Sequence, residues 1–426
     1  MIQSVFTTAA RVAILAAAVV AAQTIAWGAE ADAHKLTFHG QQVRLTAAFD
    51  NGALAKVEEG ERNVFDCWPY ENCNLHFRLE GCRNQRIVLQ FHVTEGRPGG
   101  VSLLYANPDF PVFSYDRKQW RRTANKSLLA DPKTPGGKIV RVEQTFDQDT
   151  AWVAFQYPYS NDLLSEFIAS VKGSRFVEIE VAGRSTAGRD IRQIGVTDPA
   201  VPLGRKRVVW MTGIQHCRET GAGWGLEGML RFLLSEDPAA AEARSTFLFK
   251  VVPIVNVDAL AEGKGSIHSS GRNLNREWER PDPVSEIATL QKTLDDWKKQ
   301  GRPIDIFIDF HGFSSKNGRW TAVVMPKGVY VAQQAQEYER LLQAVRRQIP
   351  PMRFGPNEAK GYAQGAGCRR WGALSLSIDG WVYADPSGRT ADLSSRYDKG
   401  APILDFDDIR TTGESFVRAL LDFARQ

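Results

Sequence analysis

Residues 161–426 alternate between short apolar runs and longer stretches in which apolar residues recur at helical spacing. Val208 to Met211 is a continuous apolar run, and most of Ile304 to Phe310 is apolar, which is typical of strands buried on both faces. Further strands are predicted at 176–181, 191–196, 247–255, 321–325 and 373–378, and helices from 163 and at 225–234, 238–243, 284–299, 331–348 and 415–425. This alternation predicts an α/β fold, a mostly parallel mixed sheet with helices on both faces.

Residues 34–160 follow a different pattern, in which short strand-like segments are separated by turn residues. No long stretch of helical spacing occurs there. Candidate strands at 74–79, 86–93, 101–105 and 151–156 predict an antiparallel β-sandwich ahead of the α/β region. The pattern changes near residue 160, where a helix begins. We therefore predict two domains, 34–160 and 161–426.

The first 33 residues fit neither predicted domain. Val12 to Ala22 is apolar but too short to span a bilayer, and small residues follow at Ala29, Ala31 and Ala33. This pattern is typical of a secretory signal peptide, with an uncleaved N-terminal anchor as the alternative. It predicts a periplasmic or secreted mature protein without stable membrane insertion. In such a compartment, one disulfide among Cys67, Cys73 and Cys82 is plausible.

The composition narrows the classes of partner. The chain has 426 residues, 43% of them hydrophobic and 24% charged, and a formal net charge of +4. These values are ordinary for a soluble globular protein. Because no block of lysine and arginine accompanies the small positive charge, we expect no nucleic-acid partner.

Two predicted strand ends carry side chains that bind metals. After Val208 to Met211 the chain breaks at Gly213 and presents His216 and Glu219 in a polar turn, and His311 follows the second strand directly. Open α/β sheets bind ligands at the carboxyl ends of their strands. Two imidazoles and one carboxylate form a zinc shell that leaves a fourth position for water. We therefore predict one zinc ion held by His216, Glu219 and His311.

Several motifs resemble a known family. The segments HCRE, NLNREW and DFHG, with the strand ALSLSID, together resemble the zinc carboxypeptidases. The segments FDNGAL, PVFSYDRKQW and FQYPYSNDL are similar to the β-sandwich of the cytosolic carboxypeptidase subfamily. The resemblance covers nearly the whole predicted mature chain. It implies a metallocarboxypeptidase that hydrolyses the C-terminal peptide bond of peptides or protein tails.

The resemblance also assigns roles to individual residues. It implies that Asn275 and Arg276 bind the terminal carboxylate of the substrate, because a guanidinium fork pairs with a carboxylate through two hydrogen bonds. Asp379 lies where the family has its catalytic glutamate, which exchanges a proton with water and the leaving amine. Tyr362 is the candidate for a mobile tyrosine that contacts substrate, and Arg272 for the arginine that polarises the scissile carbonyl.

Two positions depart from the family pattern. Asp379 is one methylene shorter than glutamate, so its oxygens are expected to sit roughly 1.5 Å back, and a misplacement of about 1 Å can lower a rate about a hundredfold. The carbonyl-polarising arginine falls at Ser266, which is why Arg272 is taken from the same loop. Arg369 and Arg370 would favour acidic substrate side chains if they faced the specificity pocket, or would be solvated loop charges.

These departures leave two alternatives to an active carboxypeptidase. One is a catalytically weakened or inactive protein that binds zinc and peptide termini on the same fold. The other is a zinc amidase or deacylase of N-acyl amino acids, since such enzymes share the HxxE motif and a later histidine. The NLNREW motif and the β-sandwich argue against the second alternative.

Overall fold

The computed structural model describes residues 35–69, 75–93, 111–134, 136–155, 157–265, 267–311, 321–349, 353–379 and 406–426. The first part of the chain forms two sheets. Their strands are β1 (Thr37–His39), β2 (Arg44–Thr46), β3 (Lys56–Glu59), β4 (Val64–Trp68), β5 (His76–Glu80), β6 (Arg86–Val93), β7 (Val112–Ser114), β8 (Arg121–Arg122), β9 (Lys126–Ala130), β10 (Lys138–Thr145) and β11 (Thr150–Ala154). One sheet has the order β1-β2-β5-β11-β7-β8 and the other β3-β4-β6-β10-β9.

Both sheets are built mainly from antiparallel pairs, and the exception among the described strands is the parallel pair β4–β6. Alternate residues of β4 are buried, as expected for a strand with one face on a core. The core contains five fully buried phenylalanines: Phe65, Phe77, Phe91, Phe146 and Phe155. This arrangement confirms antiparallel sheets ahead of the α/β region.

The second part of the chain contains eight strands and eight helices within the described residues. The strands are β12 (Val177–Arg184), β13 (Asp190–Val196), β14 (Arg207–Gly213), β15 (Phe247–Val252), β16 (Ile306–Phe310), β17 (Thr321–Val324), β18 (Arg353–Pro356) and β19 (Leu374–Asp379). The helices are α1 (Asn161–Val171), α2 (Gly221–Leu233), α3 (Pro238–Thr246), α4 (Val257–Glu262), α5 (Ser285–Lys299), α6 (Ala332–Gln348), α7 (Ala363–Trp371) and α8 (Phe406–Ala424).

These strands form one mixed sheet in the order β12-β13-β15-β14-β16-β19-β17-β18. The central strands β15, β14, β16 and β19 are mutually parallel. Helices cover both faces, because Phe307 of β16 packs on Trp371 of α7 while Phe310 packs on Phe416 of α8. Residues three apart on a strand point to opposite faces. The predicted α/β class is therefore confirmed.

A turn at residues 50–52 joins the first two sheets to the larger one. Asn51 donates from its backbone N–H to the carbonyl of Ala261 and from its side chain to that of Leu260, at the end of α4. Lys35 donates to the carbonyls of Phe49, Gly52 and Ala261. The predicted boundaries at 34–160 and 161–426 remain a prediction, and the two parts are in direct contact.

Some predictions concern residues that the structure does not describe. The predicted signal peptide and the strand at 101–105 lie outside the described residues, as does Cys73. Cys67 and Cys82 are both buried free thiols, so the plausible disulfide does not join these two. Among the described residues, no helix combines the length and apolar character needed to cross a membrane.

Candidate metal centre and substrate loop

The end of β14 is shaped to present His216. A Cβ at Gly213 would collide with the side chain of Leu226 and the carbonyl of Pro253, so the strand must end with glycine. Ile214 follows with φ of 44°, a conformation that a β-branched residue rarely adopts. Its carbonyl accepts a hydrogen bond from the Asn256 N–H at 3.1 Å, which holds the turn. Such backbone strain is concentrated at functional sites.

The parallel pairing of β14 with β16 brings the two predicted metal-binding segments together. The register pairs Gly213 with Phe310, so the residues that follow each strand emerge at the same edge of the sheet. His216 and Glu219 lie in the turn before α2, and His311 follows β16 immediately. Their ligand atoms all lie within 4.8 Å of one another. The structure therefore brings together the three predicted ligands from positions up to 95 residues apart (311 − 216).

Glu219 is the centre of this group. Its Oε1 lies 2.8 Å from Nδ1 of His216, and its Oε2 lies 2.6 Å from Nδ1 of His311. Burial alone would raise the pKa of Glu219, but the two imidazoles lower it well below its ordinary value. Burial by itself would lower the pKa of His311, whereas Asp309 and Glu219 raise it well above the ordinary value. The group is therefore suited to a shared cation.

The outer nitrogens of both histidines have their own acceptors. Nε2 of His216 lies 3.0 Å from Oδ1 of Asn273, and Nε2 of His311 lies 2.7 Å from Oδ2 of Asp309. When each Nε2 carries the proton, each Nδ1 keeps a lone pair directed at Glu219. Outer partners of this kind orient metal-binding histidines. The three residues thus fit the donor set and the tautomers that zinc requires.

Asp309 is itself held firmly. Its carboxylate accepts hydrogen bonds from Thr212 Oγ1 at 2.8 Å and from Gln215 Nε2 at 2.7 Å, and all three side chains are fully buried. The Trp278 indole N–H donates to Gln215 at 2.8 Å. This network connects the interior of the sheet to His311 and fixes the plane of its ring.

A second cluster, Asp258, His268 and Glu286, also has ligand atoms within 4.8 Å of one another. Its geometry is that of a hydrogen-bond network. Arg189 donates to Asp258 at 2.7 Å, so this carboxylate already has a positively charged partner. Nδ1 of His268 accepts from the Ser270 N–H at 3.1 Å, so Nε2 carries the proton, 3.2 Å from Glu286. This cluster ties the loop at 264–276, here called the substrate loop, to α5.

The substrate loop places Asn275 and Arg276 beside the candidate metal centre. Nδ2 of Asn275 lies 2.9 Å from Nε2 of His311, and its Oδ1 accepts from the Ala363 N–H at 3.0 Å. The guanidinium of Arg276 stacks 3.7 Å above the ring centroid of Tyr362. The structure therefore collects the three predicted substrate-binding residues at the site, with Arg276 packed on Tyr362.

Three arginines singled out in the sequence have acidic partners in the structure. Arg272 donates to Glu277 and to the Asp282 carbonyl, and its role in polarising the scissile carbonyl remains a prediction from the sequence. The Glu277 carboxylate is buried and would be costly to leave unpaired, and Arg272 is its charged partner. Arg369 and Arg370 form ion pairs with Glu279 and Asp295, at 2.6 Å and 2.5 Å. These ion pairs engage the two guanidinium groups that would favour acidic substrate side chains if they faced the specificity pocket.

Asp379 is the last residue of β19, which pairs with β16, the strand that His311 follows. The His311 N–H donates to the Ile378 carbonyl at 2.7 Å, so the backbone of Asp379 lies at the same edge of the sheet as the metal centre. The Asp379 side chain and Ser266 lie outside the described residues. The role of Asp379 as proton-transfer group therefore remains a prediction from the sequence.

Sequence reasoning missed Asn273, Asp309 and Gln215. Asp309 lies two residues before His311 within a strand. Its position alone did not distinguish it from any other acid that interrupts a buried strand. The usable signal was the acid itself, since a fully buried strand rarely contains an unpaired carboxylate. Asn273 and Gln215 carried no comparable signal, because uncharged polar residues are common in turns and loops.

Comparison with known proteins identifies a family to which this sequence is similar. A profile of the zinc carboxypeptidase family matches residues 166–414, more than half of the chain. Cytosolic carboxypeptidase 2 of Danio rerio is 30% identical over 213 residues, which cover 46% of this chain and 29% of the relative. An uncharacterized protein of Zymomonas mobilis is 27% identical over 283 residues, covering 63% of this chain and 67% of that protein. The chain spans less than a third of the length of the cytosolic carboxypeptidase 2 relatives it matches.

A solved structure shares the overall fold. The metallo-carboxypeptidase from Burkholderia cenocepacia superimposes with a TM-score of 0.70 at 21% sequence identity. The likeness covers 90% of this chain and 99% of that chain, so it extends beyond the residues of the family match.

Proposed function

Because the chain belongs to the zinc carboxypeptidase family, we propose that it is a metallocarboxypeptidase that releases the last residue of peptides or protein tails. One observation supports this proposal above the others. The side chain of Asn275 contacts His311 at 2.9 Å, and Arg276 is the next residue. The two residues proposed to bind the substrate's terminal carboxylate therefore adjoin the candidate zinc ligands, as cleavage next to a chain end requires.

The side chains divide the proposed reaction between them. Zinc held by His216, Glu219 and His311 would supply a Lewis acid for water activation and carbonyl polarisation. Arg276 binds the terminal carboxylate through parallel hydrogen bonds, and Asn275 orients it. Asp379 accepts a proton from the attacking water and returns it to the leaving amine. Asp309 and Asn273 keep the imidazoles in the required tautomer.

The substrate residue at the cleaved position is proposed to be unrestricted by charge. Arg369 and Arg370 are paired with Glu279 and Asp295, which neutralises them as receptors for an acidic side chain. We propose that the mature protein acts in the periplasm or outside the cell, which the N-terminal sequence pattern supports. N-terminal sequencing of the protein recovered from the producing cells would test export: a mature chain beginning near residue 32 or 34 is expected.

The activity is tested with benzoyl-glycyl-phenylalanine, benzoyl-glycyl-glutamate and their C-terminal amides. The zinc-loaded protein should release phenylalanine and glutamate at similar rates and leave both amides intact. Arg276→Ala should raise KM by about 10- to 100-fold, since a lost hydrogen bond to a charged group is worth about 1.5–3 kcal/mol. Arg280→Ala, at another exposed arginine four residues later, is the matched control. Equal cleavage of acids and amides would refute the proposal.

A catalytically inactive zinc- and peptide-binding protein is the second candidate function, favoured by Asp379 and Ser266 in place of the family's glutamate and arginine. The two candidates differ in turnover, because both retain zinc and the carboxylate clamp. Peptide binding that depends on Arg276, without release of any residue from a panel of peptides, would favour the binder. An Asp379→Glu variant that gains cleavage would identify the shortened side chain as the cause.

A further inference from the structure

Tyr362, which stacks on Arg276, belongs to a short segment that leads into α7. This segment, residues 357–362, is here called the entry segment, and it contains neither helix nor strand. Ala359 within it has φ of 51°, a left-handed conformation that costs free energy in a residue with a Cβ. A strained backbone keeps one conformation only where its surroundings hold it. The contacts of the entry segment therefore decide where Tyr362 lies.

Arg369 and Glu279 together hold the backbone of the entry segment. The guanidinium of Arg369 donates to both carboxylate oxygens of Glu279, at 2.6 Å and 2.9 Å. The same guanidinium donates to the carbonyls of Glu358 and Ala359, at 2.7 Å and 3.0 Å. The Glu279 carboxylate in turn accepts the Gly361 N–H at 2.6 Å. One ion pair therefore binds three backbone groups of the segment.

The surroundings of the Arg369–Glu279 pair favour its charged form. Burial by itself would raise the pKa of Glu279, but Arg369 and the Gly361 N–H lower it below its ordinary value. Glu279 correspondingly raises the pKa of Arg369. An isolated surface ion pair contributes little to stability, whereas a bidentate pair within a hydrogen-bond network contributes more. The pair is therefore suited to fix the entry segment in place.

The entry segment is in direct contact with the chain around Arg276. The backbone N–H of Trp278, a fully buried residue, donates to the Gly361 carbonyl at 3.1 Å. A Cβ at Gly361 would lie 3.0 Å from the Arg276 carbonyl, so the two backbones approach closely. These contacts bring the Tyr362 ring to 3.7 Å from the Arg276 guanidinium.

The stack with Tyr362 orders Arg276. One face of the guanidinium lies on the tyrosine ring, while its Nη1 donates to the Asn275 carbonyl at 2.7 Å. A guanidinium has five N–H donors, so the others suffice to bind a carboxylate. Ordering a long side chain during binding lowers affinity, and a site that is ordered beforehand avoids this loss. The position of Tyr362 therefore affects how tightly Arg276 binds its ligand.

We propose that Arg369 and Glu279 are positioning residues for the carboxypeptidase reaction, an inference that rests on the proposed function. Their ion pair locks the entry segment, so that Tyr362 holds Arg276 ready for the terminal carboxylate of the substrate. The pair acts through Tyr362 and Arg276 and not on the substrate itself. Its loss therefore weakens substrate binding and leaves the chemical step in place.

Cleavage by endoproteinase Lys-C after Lys360 measures whether the entry segment is held. The Lys360 side chain is 82% exposed, so cleavage there depends on local opening of the backbone. In the full zinc-loaded chain, Glu279→Gln and Arg369→Gln should each raise the rate of this cleavage at least about fivefold. Asp295→Asn breaks the ion pair of Arg370, the next residue of α7, and should leave the rate unchanged.

Turnover of benzoyl-glycyl-phenylalanine measures whether the pair positions Arg276. Glu279→Gln and Arg369→Gln should each raise KM about 5- to 30-fold and change kcat less than about twofold, because only binding loses its ordered partner. The double variant should match either single variant, since the two residues act as one unit. Asp295→Asn should keep the wild-type KM.

The two measurements separate this inference from the proposed function. If the wild type releases no phenylalanine, the proposed function fails, and the Kd of the same peptide measured by calorimetry replaces KM. Unchanged cleavage after Lys360 in both single variants would overturn the inference. Faster cleavage with an unchanged KM or Kd would also overturn it, because the entry segment would then be held without affecting Arg276.

Discussion

His311 is the residue at which the interior of the sheet meets the candidate metal site. Both of its ring nitrogens have partners, Glu219 at 2.6 Å and Asp309 at 2.7 Å. Its orientation is therefore set before any metal arrives. Asn273 plays the corresponding part for His216, with a neutral oxygen in place of a carboxylate. The two histidines should consequently differ in how strongly their outer partners support metal binding.

Asp309→Asn is predicted to weaken zinc binding about 10- to 100-fold, the usual effect of losing an outer carboxylate partner of a metal-binding histidine. The amide cannot accept all the hydrogen bonds that Thr212, Gln215 and His311 now donate. Competition with a zinc chelator measures the change. Asp282→Asn, at an exposed carboxylate, should match the wild type. Unchanged affinity in Asp309→Asn would show that this carboxylate does not support the ligand.

A buried histidine in the first sheet gives a pH-dependent prediction. Burial lowers the pKa of His76 to about 3, from an ordinary value of 6.5, and its Nε2 atom has no partner among the described residues. Between these two values the unfolded chain binds a proton that the folded chain does not. Stability from this residue is therefore present above about pH 6.5 and is lost as the pH falls.

The free energy of unfolding contributed by His76 should fall by up to about 1.4 kcal/mol for each pH unit below about 6.5. Urea unfolding of the wild type and His76→Gln between pH 4 and 7 isolates this contribution as the difference between their slopes. His39→Gln, at an exposed position, should keep the wild-type slope. If His76→Gln also kept it, His76 would not be the group that titrates.

At the scale of elements, α2 and α8 pack unusually closely against each other. A Cβ at Gly228 of α2 would collide with the Arg410 carbonyl, and one at Gly413 of α8 would collide with the Gly225 carbonyl. The two backbones approach through these glycines. This contact supports α2, which begins two residues after Glu219, and so helps to fix the position of a candidate ligand.

Gly228→Ala is predicted to lower the free energy of unfolding by about 1–3 kcal/mol, because overpacking forces the helices apart. The sign of this change in the free energy of unfolding is informative, because replacing glycine by alanine in an exposed helix interior normally stabilises a protein by about 1 kcal/mol. Gly173→Ala, where a Cβ meets open space, is the comparison variant. Chemical denaturation measures both. A stabilised Gly228→Ala protein would contradict the close packing of α2 on α8.

The elements that could be predicted were those with a single clear pattern. The apolar runs that became β14 and β16 were recognised from the sequence, and with them the three candidate ligands at their ends. Helix α7 was missed because AQGAGCRRW contains two glycines and little periodicity. Strand β18 was missed because RFGP contains glycine and proline, which are poor strand residues.

The ion pairs of long side chains could not be predicted from the sequence. Arg369 pairs with Glu279, 90 residues before it, and no local pattern announces that pair. Arg272 pairs with Glu277 only five residues later, and the loop sequence did not indicate that pair either. Motif spacing can place a residue in a loop, but the direction of a long side chain depends on the charges that the fold brings near.

At the scale of the whole molecule, the turn at residues 50–52 couples the first two sheets to the substrate loop. Asn51 has φ of 62° and donates to the Leu260 carbonyl at 3.1 Å, at the end of the helix that precedes the loop. The same turn carries part of the FDNGAL segment noted in the sequence. Its contacts give the N-terminal sheets a structural role in holding the proposed substrate site.

Asn51→Ala is predicted to destabilise the protein by about 2–4 kcal/mol, combining the lost buried hydrogen bond with the strain of a left-handed alanine. Asn51→Gly removes the hydrogen bond but accepts the backbone conformation, so it should be less destabilised. Thermal and chemical unfolding compare the three proteins. Equal stability of all three would mean that this turn does not hold the two parts together.

The central claim, that His216, Glu219 and His311 bind a single zinc ion, is tested most directly by the zinc content of the purified protein. Elemental analysis after dialysis should find about one zinc per chain in the wild type and in His39→Gln, as expected for one three-ligand site. Folded His311→Ala and Glu219→Gln proteins should retain little or none. A folded wild type that binds no zinc, or a His311→Ala protein that keeps it fully, would contradict this account.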